Sequence, residues 1–238
     1  MYSLCLDATQ TLQYLDLNQY PRVQTRIFFS NNNFQQSIMF IRHIIGLFTD
    51  PTRQWEQIRD QYLSGGSSPI GHVLVLALIP ALSGYFGTTQ VGWRIGVGDP
   101  IRITGDSAIS IAVIYYLALL VGTFSIGWVI HLLGKAYELE KPLPLCIALA
   151  AYTATPLYLI GIMQVYPVLW LNMLIGLPAL AYTVYLLYSG LPIMMQIPAE
   201  RGFLYSSAVL AVGLVGLVAM LAMTALLWGM GLQPVFTY

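Results

Sequence analysis

Apolar and polar positions fall into two kinds of pattern from Met39 onward. Phe40, Ile41, Ile44, Ile45 and Phe48 recur at helical spacing with Arg42 and His43 between them, predicting a short amphipathic helix. Asp50-Pro51 then supplies an N-cap and a proline at the first helical position. The helix it opens puts Trp55, Ile58 and Tyr62 on one face and Arg53, Glu56, Arg59 and Asp60 elsewhere. Such a helix fits the headgroup plane of a bilayer, and equally a water-facing helix packed on the loops of a membrane domain. SGGSSP, residues 64–69, breaks the pattern. Beyond it come apolar runs that predict five spans, at about 70–87, 107–133, 145–163, 168–189 and 204–231. Each is long enough to cross about 30 Å of hydrocarbon. Gln164 to Pro167 is the natural turn between the third and fourth, with Tyr166 and Trp170 as interface anchors.

The predicted fold class is therefore all-α, an integral membrane bundle of five transmembrane helices preceded by an N-terminal cytoplasmic amphipathic region. Residues 1–38 form a polar tail, 39–68 the amphipathic helices and linker, and 69–238 the five-span domain. The tail lacks a basic n-region followed by an apolar h-region, so it is not a signal peptide. Its composition predicts weak structure and a dispensable segment. The loop TTQVGWRIGVGDPIRITGD, residues 88–106, carries turn signals between short β-branched pieces and predicts a small surface hairpin.

Composition and charge agree with this pattern. The chain is 57% apolar and 8% charged, against about a quarter charged in soluble domains. No charged residue lies between Pro142 and Ala199, nor after Arg201. Ten basic and ten acidic residues cancel, leaving no basic patch for phosphates, so nucleic acid is excluded as a partner. The lipid bilayer is the certain one; a membrane-protein partner or a second copy is the expected further company. Lys and Arg are unevenly distributed. Arg22, Arg26, Arg42, Arg53, Arg59, Lys135, Lys141 and Arg201 fall on one side of the predicted spans, and Arg94 and Arg102 on the other. The positive-inside rule then places the N-terminus in the cytoplasm and, after five spans, the C-terminus outside it.

Candidate chemistry is sparse. No Asp, Glu, Lys or Arg lies inside a predicted span, whereas proton relays and ion-coupled pumps depend on such residues. Cys5 and Cys146 define no disulfide framework. His43, His72 and His131 lack the spacing of a metal or haem site and read as residues at span ends. No catalytic residue, cofactor or metal is predicted.

Three prolines, Pro80, Pro156 and Pro178, fall in mid-span, in spans one, three and four; the other ten lie in the tail or at element ends. A mid-helix proline frees the carbonyl four residues back, and inside a bilayer that group needs a donor. For Pro156 the freed carbonyl is Tyr152, and the Thr155 hydroxyl is the predicted compensating donor. Pro80 and Pro178 free Leu76 and Leu174 with no such hydroxyl in sequence. If the chain moves a solute, Thr153, Thr155 and Asn172 are the candidate polar pocket. Tyr182, Tyr185 and Tyr188 form a stripe read as anchoring rather than as a ligand cage. Small residues four apart (Ala77 and Ala81, Ala118 and Gly122, Thr123 and Gly127, Ala150 and Ala154, Ala225 and Gly229) offer close helix contacts.

Three stretches taken in order, DPTRQWEQIRD at 50–60, AYTATP at 151–156 and LLYSGLPIMMQIPAERGF at 186–203, resemble the Yip family (Ypt/Rab-interacting proteins) of small five-span membrane proteins, specifically its bacterial inner-membrane branch. The resemblance covers about residues 39–232 and implies an all-helical five-span domain with a cytoplasmic N-terminus. Tyr152, Pro156, Gly190 and Pro192 are its marks in this sequence. Members of the eukaryotic branch engage Rab-type GTPases, but their acidic Asp-Leu-Tyr-Gly-Pro type motif is missing here. The expected function is that of a non-enzymatic multi-pass inner-membrane protein, an organiser, scaffold or adaptor. The alternative is a small-solute transporter or channel built on kinked spans one, three and four.

Overall fold

The computed structural model describes residues 41–64, 69–94, 99–139, 141–230 and 235–237. The predicted tail, 1–38, lies outside them, as do residues 65–68 of the linker. Of the unit Met1–His43, residues 41–43 are described and are helical; the membrane bundle belongs to the unit Ile44–Tyr238.

Residues 44–49 are helical and lead into α1 (Pro51–Leu63). As the sequence predicts, Asp50 caps α1, its carboxylate accepting from the Arg53 amide at 3.2 Å, and Pro51 sits in the first turn where no donor is lost. Trp55 and Ile58 are fully buried. The spans follow as α2 (Ile70–Phe86) with a π-helical end at Gly87–Val91, α3 (Gly105–Ala136), α4 (Leu143–Thr153) with α5 (Thr155–Ile160), α6 (Leu169–Met195) and α7 (Ala199–Gly229). Four helices, counting α2 with its π end as one, are each long and apolar enough to cross a membrane. The fifth is the bent pair made of α4 and the stretch Thr155–Val165, with 41° between them.

Contacts at the two ends of the bundle show that this bent pair is a complete crossing. At one end Lys141, just before α4, donates its Nζ to Gln196 between α6 and α7 at 2.7 Å. At the other, Val168, just before α6, bridges Arg94 in the connection between α2 and α3. That same connection carries β1 (Arg102–Ile103), which pairs antiparallel with β2 (Phe236–Thr237) at the C-terminus. The predicted hairpin is present as one antiparallel rung, Trp93 and Ile101 each donating to the other's carbonyl at 2.7 and 3.0 Å, while β1 itself pairs more than a hundred positions away and residues 95–98 lie outside the described set. With α1 at the Gln196 end and β2 at the other, the chain crosses five times.

Packing is tight at the α1 end. The buried residues of α6 all lie in Leu186–Met195, and those of α7 between Gly202 and Val209. Leu47, Trp55, Ile58, Ile130, Leu145, Leu149, Leu191, Met194 and Tyr205 form one cluster there. α1 docks through Trp55, whose ring lies so close over Gly190 that an added Cβ would overlap it. Two of the expected proline placements change. Pro192 lies inside α6, which runs to a left-handed cap at Gln196 instead of stopping near 189. Pro156 lies in the first turn of α5, where its missing donor costs little.

Of the small-residue pairs, Thr123 and Gly127 make a close approach. A Cβ on Gly127 would sit 2.8 Å from the Ile147 Cα, so α3 and α4 meet nearly backbone to backbone. Gly122 and Gly229 meet nothing within 4 Å of such a Cβ.

Candidate functional site

The polar stretch AYTATP, 151–156, forms the joint between α4 and α5. Ala154 takes a turn conformation because Pro156 has no amide to continue the ladder. On either side the ladder holds, with Ala154 N donating to Ala150 O at 3.0 Å and Tyr158 N to Ala154 O at 3.1 Å. The Thr155 hydroxyl, expected to serve the Tyr152 carbonyl that Pro156 frees, is hydrogen-bonded elsewhere. Its backbone acceptor is Ala151, at a long 3.4 Å. Its stronger partner is the His72 ring of α2, whose Nε2 lies 2.9 Å from Thr155 Oγ1. Thr155 has no exposed surface.

His72 lies in the first turn of α2, at the span end where the sequence places it, and is buried. The Tyr152 ring lies against the imidazole, with 4.1 Å between centroids and 44° between planes. Tyr152 is also hydrogen-bonded to Tyr62 of α1. Burial, with Tyr152 beside it, holds the Tyr62 hydroxyl well above the usual tyrosine range. Three residues on from Thr155, Tyr158 bonds Thr123 of α3. Beyond it Gln164 donates to the Tyr115 hydroxyl of α3 at 3.0 Å. On either side of the break, Tyr152 engages α1 and α2, Thr155 engages α2 and Tyr158 engages α3. The broken span is the post to which three neighbours are tied.

The other predicted site residues are dispersed. Thr153 is buried, and its hydroxyl has no partner among the described residues. Asn172 spends its amide locally, donating to the Tyr166 carbonyl at 2.8 Å and the Val168 carbonyl at 3.0 Å near the start of α6. It shares no hydrogen bond with Thr153 or Thr155. Pro80 is buried against Gly161, where a Cβ would come 2.6 Å from the proline's own Cβ, so α2 packs closely on the stretch that follows α5. Pro178 is exposed and joins neither. In the tyrosine stripe, Tyr182 donates to the Leu47 carbonyl at 2.7 Å and Tyr188 shares a 2.9 Å hydrogen bond with Ser207; Tyr185 is exposed.

Sequence reasoning missed His72 as a structural partner. The signal was available in its spacing. His72, Leu76 and Pro80 recur every four residues, all buried on the face of α2 toward the broken span.

These observations define the class: a five-crossing, all-α membrane protein whose third crossing is broken and cross-linked to its neighbours by hydrogen bonds. The chain belongs to the Yip1 domain family, which matches residues 45–220. Among curated proteins, the inner membrane protein YohC of Escherichia coli strain K12 is 38% identical over 191 residues, spanning 80% of this chain and 98% of that protein. The YohC protein of Escherichia coli O6:H1 strain CFT073 matches with the same figures. No solved structure matches the chain.

Proposed function

We propose that this protein is a non-enzymatic organiser of an inner membrane, a scaffold or adaptor that holds another membrane component. The membrane assignment follows the relatives whose name carries it. The uneven split of Lys and Arg supports a cytoplasmic α1 end. The observation that carries the functional reading is how the interior polar groups are used. His72, Thr155, Tyr158, Thr123, Gln164 and Tyr115 bond to one another across helices, which builds a fixed body rather than a solvated path. The apolar surface of that body is available to neighbours. In α7, Leu214, Val215, Leu217, Val218, Leu221 and Leu226 are all exposed.

A photo-crosslinking residue in place of Leu221, activated in native membranes, tests the reading. A discrete protein adduct, recovered again on purification in mild detergent, is expected. Adducts to lipid alone would contradict it. The transporter reading retains one favourable observation, the buried Thr153 hydroxyl with no partner among the described residues. Stabilisation of the purified protein by a particular solute, lost in Thr153→Val, would move the function to that class.

A further inference from the structure

α7 packs against the bundle over its first half and then stands clear of it. Tyr205 donates to the Ile130 carbonyl of α3, and Val209 is 2% exposed. A Cβ on Gly213 would lie in ordinary contact, 3.5 Å from the Ile126 Cδ1 of α3. A helix packed along its whole length keeps one such stripe buried. Here helical spacing continues the stripe through Gly216, Met220 and Met223, yet Met220 is 45% and Met223 56% exposed, close to the 54% of Leu214 on another face. Every residue from Leu214 to Leu226 is exposed, a length of about 20 Å at ~1.5 Å of rise per residue. The facing position on α3 is open too. α3 runs antiparallel to α7, so Gly122 follows Ile126 toward the β1 end. A Cβ on Gly122 or on Gly216 would meet nothing within 4 Å.

Beyond this gap the chain returns to α3. The Val235 carbonyl accepts from the Thr104 amide at 3.0 Å, and the Val235 amide donates to Ser107 at 3.3 Å, both at the start of α3. The pairing of β1 with β2 closes the same end. The gap is therefore a slot with α3 and α7 as its sides and protein across both ends. Its walls are apolar. No charged residue lies on α3 between Asp106 and Lys135, or on α7 after Arg201, and the Thr224 hydroxyl donates to the Met220 carbonyl at 2.9 Å. Such walls leave little for water to bond. A spanning helix of another chain must carry its ends out to water, and the closed ends forbid that. An acyl chain entering sideways from the bilayer meets neither obstacle. At the β1 end, the exposed Arg102 of β1 and the exposed Asp106 in the first turn of α3 offer opposite charges, which complement the phosphate and ammonium of a zwitterionic headgroup. We propose that the slot holds a phospholipid, with an acyl chain between α3 and α7 and its headgroup on Arg102 and Asp106. The face of α7 carrying Val218 and Leu221 stays open to a protein neighbour, so the slot does not rest on the scaffold reading.

The test is lipid retention by the full-length protein. It is extracted from vesicles of equal phosphatidylethanolamine and phosphatidylglycerol and washed in mild detergent, and the phospholipid that remains is identified by mass spectrometry. Retention of phosphatidylethanolamine in preference to phosphatidylglycerol is expected. Gly122→Leu and Gly216→Leu grow side chains into the slot where a Cβ meets no protein, so the double variant should fold and elute as the parent does. It should lose retained lipid about tenfold. Gly176→Leu, equally open but on α6 outside the slot, should lose none. Undiminished retention in the double variant, or an equal loss in Gly176→Leu, would show only lipid around the whole protein and overturn the proposal. Equal recovery of the two lipids would overturn the headgroup assignment. A second readout does not depend on detergent. With Cys5→Ser and Cys146→Ala as background, Gly122→Cys and Gly216→Cys should form no disulfide in native membranes, because an acyl chain holds their backbones farther apart than a disulfide spans. A disulfide within one chain would mean that α3 and α7 close on each other. One between chains would mean that a second copy occupies the slot. Either result would overturn the proposal.

Discussion

Replacing Thr155 by valine keeps the β-branched shape and removes the hydroxyl that joins α5 to α2. Two contacts go with it. The 3.4 Å contact to Ala151 is at the edge of hydrogen-bonding distance and contributes little. The 2.9 Å contact to His72 is a buried bond between spans. Measured bonds of that kind average about 0.6 kcal/mol and reach about 1.7, and leaving a buried polar atom facing a methyl adds to the loss, within a range of about 1–3 kcal/mol. The expected destabilisation is about 1–2 kcal/mol, read from denaturing-detergent titration in mixed micelles followed by tryptophan fluorescence. Thr155→Ser, which restores the hydroxyl, should recover most of it. Pro156→Ala should be milder than Thr155→Val, because it returns a backbone donor to the Tyr152 carbonyl. The decisive form is a double-mutant cycle with His72→Phe, for which the bond predicts a coupling of about 1 kcal/mol. Additivity within about 0.3 kcal/mol would refute the reasoning. The two side chains would then contribute separately, and the broken span would not be tied to α2 through them.

Gly190→Ala should force α1 off the bundle by overlap with Trp55, at a cost of about 1–3 kcal/mol. Limited trypsin digestion should then cut faster after Arg53 and Arg59; unchanged digestion would count against the docking. Asp50→Ala should cost about 1 kcal/mol through the lost cap, seen as faster amide exchange confined to the first turn of α1. The raised hydroxyl of Tyr62 makes a pH prediction. Because the folded state holds this proton more tightly than the unfolded one, its contribution is intact below pH 10.0 and declines as pH rises above it. Stability measured up to about pH 11 should therefore fall less steeply in Tyr62→Phe; equal slopes would contradict the buried placement.

The fold was legible where a local rule decided it. Asp50-Pro51 announces the start of α1, and the uncharged runs announce the spans, because capping and bilayer length are properties of contiguous residues. The end of α6 was not legible. Ser189, Gly190 and Pro192 look like a terminator, yet the helix runs through them because Leu191, Met194 and Met195 are buried and Trp55 fills the space over Gly190. The partner of Thr155 was hidden for a similar reason. Sequence offers it a carbonyl in its own helix, while the atom it meets at 2.9 Å belongs to a histidine 83 positions away. β1 likewise looks like half of a local hairpin until the C-terminus arrives beside it. Of the candidate pocket, Thr155 lies at the joint in hydrogen-bonding contact with α2. Asn172 is occupied by its own helix start, since an amide near the first turn is most easily satisfied by nearby carbonyls.

That the broken stretch 143–165 is one full crossing underlies both the topology and the structural role given to its polar face. Single cysteines at Lys135, in the last turn of α3, and at Tyr166, exposed just after the crossing, report on it most directly. A membrane-impermeant maleimide should label Tyr166→Cys from outside the cytoplasm and Lys135→Cys only from the cytoplasmic side. Labelling of both positions from the same side would make α4 and α5 a re-entrant pair and contradict the account.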